Sequence, residues 1–341
     1  MRTAIIFLST FTMFAASKYS AVRVVTEGIE EVVLRDEVRH QEVRVVPGLG
    51  NNSYSYKAKG QEIFWSPYKT LAEMKAKPVN LGNPFLAPWA NRIDGLTYYA
   101  NGQKYHLNPE LGNFRADGFK QPIHGLSMYA PWKVVRVESD GQGAWVTSRL
   151  EFWREPAWMA QFPFAHNLEM TYKLSGGELE VRTTVENLSH QPMPLSLGYH
   201  PYFQVSDLPR DQWQVHLPVK SKVALSPSLT PTGEKTATAF AGPLGLQGIA
   251  LDDVYTDLSA DAQGRTEFWV MGKQQKVSVI YGPKYPVAVV YAPPGRNFIC
   301  FEPMTGVTNV FNLAQQGKFP LQSVPAGGSW RESFWIRPSG F

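Results

Sequence analysis

The feature that most constrains this chain is alternation with period two. In residues 144–152, Ala-Trp-Val-Thr-Ser-Arg-Leu-Glu-Phe, one face takes Ala144, Val146, Ser148, Leu150 and Phe152 and the other Trp145, Thr147, Arg149 and Glu151, and stretches 22–25, 42–46, 179–185 and 276–281 are built in the same β-branched and aromatic style. Successive side chains on a strand point to opposite faces, so such runs make sheets with one dry face and one wet face. Gly, Pro, Asn or Asp bounds each run, and the 28 glycines and 26 prolines are spread along the chain as turn punctuation. Helical periodicity is confined to residues 70–77, closed by Pro78. No 20–50-residue repeat or low-complexity linker marks a boundary. The expected architecture is all-β, a large antiparallel β-sandwich forming one domain over residues 22–341.

Composition excludes several function classes. Hydrophobic residues make up 43% and charged residues 18%, which is globular rather than disordered. A net charge of +4 with no run of like charges gives no groove for nucleic acid. Cys300 is the single cysteine, so a disulfide within the chain and a multi-thiolate metal site are both excluded. At the amino terminus, Arg2 precedes an apolar run from Ala4 to Ala16, and Ala15-Ala16-Ser17 has the form of a cleavage site. Residues 1–17 thus read as a secretory signal rather than a membrane span, implying a periplasmic or secreted protein without stable membrane insertion. The same run as a first core strand would imply a cytoplasmic one.

Two titratable residues end apolar strands just before a proline. In Leu195-Ser196-Leu197-Gly198-Tyr199-His200, alternation puts Ser196, Gly198 and His200 on one face, and the two small residues predict open space beside the imidazole. Phe298-Ile299-Cys300-Phe301 is apolar on both faces until Glu302, which predicts a central strand covered twice. A carboxylate there costs several kcal/mol unless paired. Partly desolvated, it becomes a general base near neutrality. The ordinary alternatives are a core histidine bonded to carbonyls and a structural ion pair. Asn91-Arg92-Ile93 and His124-Gly125 add a donor fork and a second histidine in Pro/Gly/aromatic surroundings.

These strings, Asn91-Arg92-Ile93, His124-Gly125, His200-Pro201-Tyr202-Phe203 and Glu302-Pro303-x-Thr305-Gly306, resemble the aldose 1-epimerase (galactose mutarotase) family, in its order, from about residue 40 onward. The resemblance implies the galactose mutarotase-like sandwich and interconversion of the anomers of a free monosaccharide. It assigns Glu302 as the base at the C1 hydroxyl and His200 as the acid at the ring oxygen, flanking a narrow pocket. Arg92, His124 and Asn91 resemble sugar-holding groups. The family's hydroxyl-binding aspartate falls at Asp252, with Asp253 as the alternative. No metal and no cofactor is implied, and no G-x-G-x-x-G or P-loop is present. Trp89, Tyr129 and Trp132 are candidates for stacking on a pyranose.

Three alternatives stay open at this point. A hexose-6-phosphate epimerase would draw on Lys57, Lys59 and Arg154 at the pocket mouth. A non-catalytic carbohydrate-binding sandwich would bind without turnover, and a glycoside hydrolase would pair Glu302 with Asp252. Oligomeric state is not legible.

Overall fold

A computed structural model describes residues 18–238, 240 and 242–341; the signal assigned to positions 1–17 lies outside the described residues. The alternating runs become strands as expected, including Gln41–Val46, Ala144–Glu151, Glu178–Asn187 and Lys276–Tyr281. The first strand, Tyr19–Thr26, begins slightly ahead of position 22. The expected helix is Leu71–Ala76, started by a capping box in which Thr70 and Glu73 satisfy each other's backbone N–H groups. Pro156–Gln161 and Val310–Gln315 are also helical, each too short for its period to be visible in sequence. Among the described residues no helix is long and apolar enough to cross a membrane.

Two large antiparallel sheets carry the fold. One has nine strands and is centred on Glu178–Asn187 and Ser329–Ser339; the other has eight and is centred on Val287–Ala292 and Ile299–Met304. A five-stranded sheet formed by residues 19–62 adds its apolar face to the same core. The large sheets meet through aromatic contacts. Tyr199 packs on Phe334 at 4.8 Å between ring centroids, and Phe301 packs on Phe268 at 5.9 Å. The Tyr199 hydroxyl also bonds Thr183 of the opposing sheet.

Alternation then fixes where the chemistry lies. With Phe301 turned inward between the sheets, its neighbours Cys300 and Glu302 must project from the opposite face of the same strand. That outer face is covered too, since every residue of Ile299–Met304 is buried. The double covering read from sequence is therefore present, with loops supplying the second layer.

Candidate active site

Register brings His200 and Glu302 together. Against Ile299–Met304, Gly198 pairs with Met304 and Tyr202 with Cys300. Both pairs obey one register, which sets His200 directly across from Glu302 in the gap between the two short pairings. Pro201 lacks an N–H and interrupts the ladder there, and the His200 N–H turns instead to the Pro84 carbonyl at 3.0 Å. His200 Nε2 lies 3.3 Å from Glu302 Oε1. Thr305 locks this register: its Oγ1 accepts from the Leu197 N–H at 2.9 Å, while its own N–H donates to the Leu197 carbonyl at 2.9 Å.

Two expectations are corrected here. The pair touches, rather than facing across a hollow, because strands in register hold their facing side chains close. The small residues before His200 do not leave open space either. A Cβ on Gly198 would meet Met304 Sδ at 2.6 Å and the Pro303 carbonyl at 2.9 Å, so the missing side chain admits the neighbouring strand.

The second layer is made by two loops, which carry Arg92 and His124. Asn91, His124 and Asn309 all hold left-handed backbone, with φ of 57°, 64° and 61°. Asparagine tolerates this region; for histidine it is a local strain of the kind concentrated at functional sites. The strained residues are tied together. The His124 N–H donates to the Asn91 carbonyl and the Asn309 N–H to the Arg92 carbonyl, both at 2.9 Å. The His124 and His200 rings meet edge to face at 5.5 Å.

Arg92 donates from Nε to Asp117 Oδ2 at 2.6 Å and from Nη1 to Asn91 Oδ1 at 3.0 Å. Asn91 therefore steadies the guanidinium. Asp117 went unnoticed in sequence because Asp117-Gly118 reads as a turn. It is one, with Oδ1 accepting from the Phe119 and Gln121 N–H groups, but its other oxygen is free to grip Arg92. Burial would raise the Asp117 carboxyl; the Arg92 and backbone hydrogen bonds outweigh it and hold it low.

Asp252 and Asp253 separate by face. Asp253 is taken by Lys222 Nζ at 2.6 Å and by the Tyr255 hydroxyl at 3.1 Å. Asp252 pairs in register with Tyr291, which pairs with Cys300, so it lies on the Glu302 face in the row of Cys300, two strands away. Its residue surface is exposed, yet partial desolvation of the carboxyl raises it, with Arg92 opposing and Asp253 adding.

Aromatic residues surround the pair. Trp89 and Trp132 are core residues, 1% and 5% exposed, and Tyr129 lies under the Arg115 guanidinium. Tyr202 stacks on His200 at 4.7 Å, Tyr291 stands edge-on to it at 6.1 Å, and Trp65 packs on Tyr202. Arg115 was also missed; a lone loop arginine carries no sequence signal. Exposed, and held by Asn80 Oδ1 at 3.0 Å, it acts on both His124 and His200. Lys57, Lys59 and Arg154 sit elsewhere. Lys57 lines a cleft of about 340 Å³ beside the helix Leu71–Ala76, Lys59 lies by Gly176 and Gly177, and Arg154 pairs with Glu151. Volume does not single out the site, since neither that cleft nor one of about 360 Å³ near Phe319 contains a histidine.

Burial shifts both members of the pair away from their charged forms. Burial pushes the Glu302 carboxyl well above the carboxylate range, with Asp252 adding and Arg92 opposing. Burial also drives His200 down to about 3, against a contact with its own backbone and with Arg115 adding. His124 falls well below its ordinary value through burial, then through His200, Arg115 and Arg92. Burial therefore works against charge on both partners of the contact. Among the described residues, buried Glu302 Oε2 has no hydrogen-bond partner.

The buried histidines have a consequence for stability. His166, stacked on Phe152 at 4.2 Å, is likewise driven down by burial, to about 4. Unfolded histidine titrates near 6.5. Below that pH the unfolded chain binds protons that folded His124, His166 and His200 refuse, so stability present above about 6.5 is lost as pH falls toward their folded values. Thermal melts should show Tm falling between about pH 7 and 5, and His166→Phe should flatten the fall. An unchanged slope in that variant would contradict the assignment.

The chain matches the family described as aldose 1-epimerase over residues 37–337. It is 25% identical over 234 residues to the uncharacterised protein YihR of Escherichia coli K12, covering 67% of this chain and 70% of YihR. In fold it is similar to a galactose mutarotase-like protein from Clostridium acetobutylicum, with TM-score 0.83, 21% identity, and 94% of this chain and 98% of that one covered. It is also similar to a GalM/aldose epimerase homologue from C. elegans, with TM-score 0.71, 15% identity, and 94% and 99% covered. With the family match running through all four motifs and both large sheets, the chain belongs to the aldose 1-epimerase family.

Proposed function

We propose that the protein is a mutarotase, interconverting the α and β anomers of a free aldose by proton transfer at Glu302 and His200. The observation that carries this reading is the 3.3 Å contact of a buried imidazole with a buried carboxyl. Ring opening takes a proton from the C1 hydroxyl and delivers one to the ring oxygen, and both oxygens sit on C1. Glu302 removes the first and His200 supplies the second. The C1–C2 bond then rotates, and reclosure reverses the roles. The pair holds one proton in either arrangement, carboxylate with imidazolium or carboxylic acid with imidazole. The step starts from the carboxylate–imidazolium arrangement, which Arg92 favours at Glu302, passes to carboxylic acid and imidazole as the ring opens, and reclosure restores the starting state. Each positioned group typically contributes about 10²–10⁴-fold.

Arg92, His124 and Asp252 take the sugar hydroxyls, and Asn91 holds Arg92. Polarimetry of freshly dissolved α-D-glucose and α-D-galactose tests the reading. Rotation should decay faster than in buffer; no acceleration with any common aldose would remove it.

Arg115 favours a second reading, an aldose bearing an anionic group such as a 6-phosphate. Its guanidinium acts electrostatically on both buried imidazoles, and among the described residues its hydrogen bonds go to Asn80, Met128 and Tyr129 rather than to a carboxylate. Arg115→Gln should then lower kcat/KM for glucose 6-phosphate relative to glucose by about tenfold or more, the worth of a charge-assisted hydrogen bond. An unchanged ratio leaves the neutral aldose.

A further inference from the structure

Cys300 has no part in the chemistry above, yet it lies beside it. It is fully buried, one rung from Glu302 on the same outward face, and pairs in register with Tyr202 and Tyr291. A ligand-type atom of His200, of Cys300 and of Glu302 can be chosen so that all three lie within 4.8 Å of one another. Zinc bonds imidazole nitrogen, thiolate and carboxylate oxygen at about 2.0–2.3 Å. Ligand atoms of one tetrahedral ion stand about 3–4 Å apart, so the three groups must draw in by about an ångström on binding.

A second observation points to a cation. Glu302 is only 1% exposed, and its Oε2 has no hydrogen-bond partner among the described residues. Asp252 adds negative charge that acts on Cys300 and Glu302 alike.

We propose that His200, Cys300 and Glu302 form a three-ligand site for a thiophilic divalent cation of the Zn²⁺ type, whose occupation closes the site to sugar. The charges balance. Metal ligands bind in their deprotonated forms, so a dication is met by one thiolate, one carboxylate and a neutral imidazole. The assembly is neutral, as a buried site requires, and no electron moves. Three protein ligands leave the fourth tetrahedral position to water or a hydroxyl. A soft sulfur donor and only three ligands exclude Mg²⁺ and Ca²⁺, which demand six or more oxygens.

The blocking effect rests on the mutarotase reading; the binding does not, so the two fail separately. The full chain is titrated with Cd²⁺ alone while thiolate-to-metal charge-transfer absorption is followed in the ultraviolet. Zn²⁺ alone is titrated in competition with a chromophoric chelator. The expected result is one ion per chain, a saturating band with Cd²⁺, proton release on binding, and no response to Mg²⁺. Cys300→Ser should abolish the band and weaken Zn²⁺ at least about tenfold. His200→Asn, which keeps the thiol, should also weaken Zn²⁺ at least about tenfold and guards against a Cys300→Ser chain that fails to fold. No band in the wild type, or equal Zn²⁺ affinity in either folded variant, overturns the proposal. Zn²⁺ binding that passes these tests in a chain without mutarotation would sustain the metal site and remove the activity.

Discussion

Glu302→Gln should lower the catalysed mutarotation rate by about 10²–10⁴-fold, the worth of a positioned proton-transfer group, while leaving Tm unchanged or raised. The two effects come from one cause. Glu302 sits 1% exposed on a strand buried along its whole length, where burial holds its carboxyl well above the usual range. A carboxyl whose folded pKa is raised destabilises the fold as pH rises above the unfolded value of about 4.3. Glutamine has the same shape and no charge to desolvate, so at neutral pH it removes that cost along with the proton relay. Activity and stability should move in opposite directions, the usual signature of a site held under electrostatic strain. A variant that loses activity only because it melts lower would point to a structural role.

Gly125→Ala should have the largest effect on folding. Its φ of 69° lies in the left-handed region, and an added Cβ would meet the Ala87 carbonyl oxygen at 2.1 Å. That oxygen cannot retreat cheaply. It accepts from the Leu126 N–H at 2.8 Å, the Ser127 N–H at 3.1 Å and Ser127 Oγ at 3.0 Å. The junction joins the loop leading to Arg92 with the loop carrying His124, so separating them moves both groups off the pair. Backbone overlap of this kind belongs to the rare substitutions costing about 4–5 kcal/mol. The expected outcome is a Tm lower by about 10 °C, or no soluble protein. Wild-type melting in Gly125→Ala would refute this account of how the two loops are joined.

Much of this was legible in the sequence, and the failures share a physical origin. Alternation in residues 144–152 and 276–281 gave strands within a residue of those observed, because burial of one sheet face enforces period two. Glu302 on a doubly covered strand followed from apolar residues on both sides of it. The contact of His200 with Glu302 was not derivable, since register between strands a hundred residues apart is set by packing across the sheet rather than by either string. Gly198 was misread for a related reason. A missing side chain predicts close approach as readily as empty space, and only the neighbour, Met304, decides which. Arg115 and Asp117 were invisible because each looks like an ordinary loop residue until the fold brings the buried imidazoles and Arg92 beside them. Asp252 was separated from Asp253 only by the face each presents, again a matter of register.

The most direct test follows the anomers at equilibrium. Exchange between the α and β anomeric proton resonances of glucose and galactose, read by magnetisation-transfer NMR with wild type and Glu302→Gln side by side, reports the proposed step without coupling enzymes. The account predicts exchange cross-peaks with wild-type protein that are absent in buffer and lost in the variant. Wild-type cross-peaks that persist undiminished in a folded Glu302→Gln protein, or their absence with every aldose tried, would contradict it.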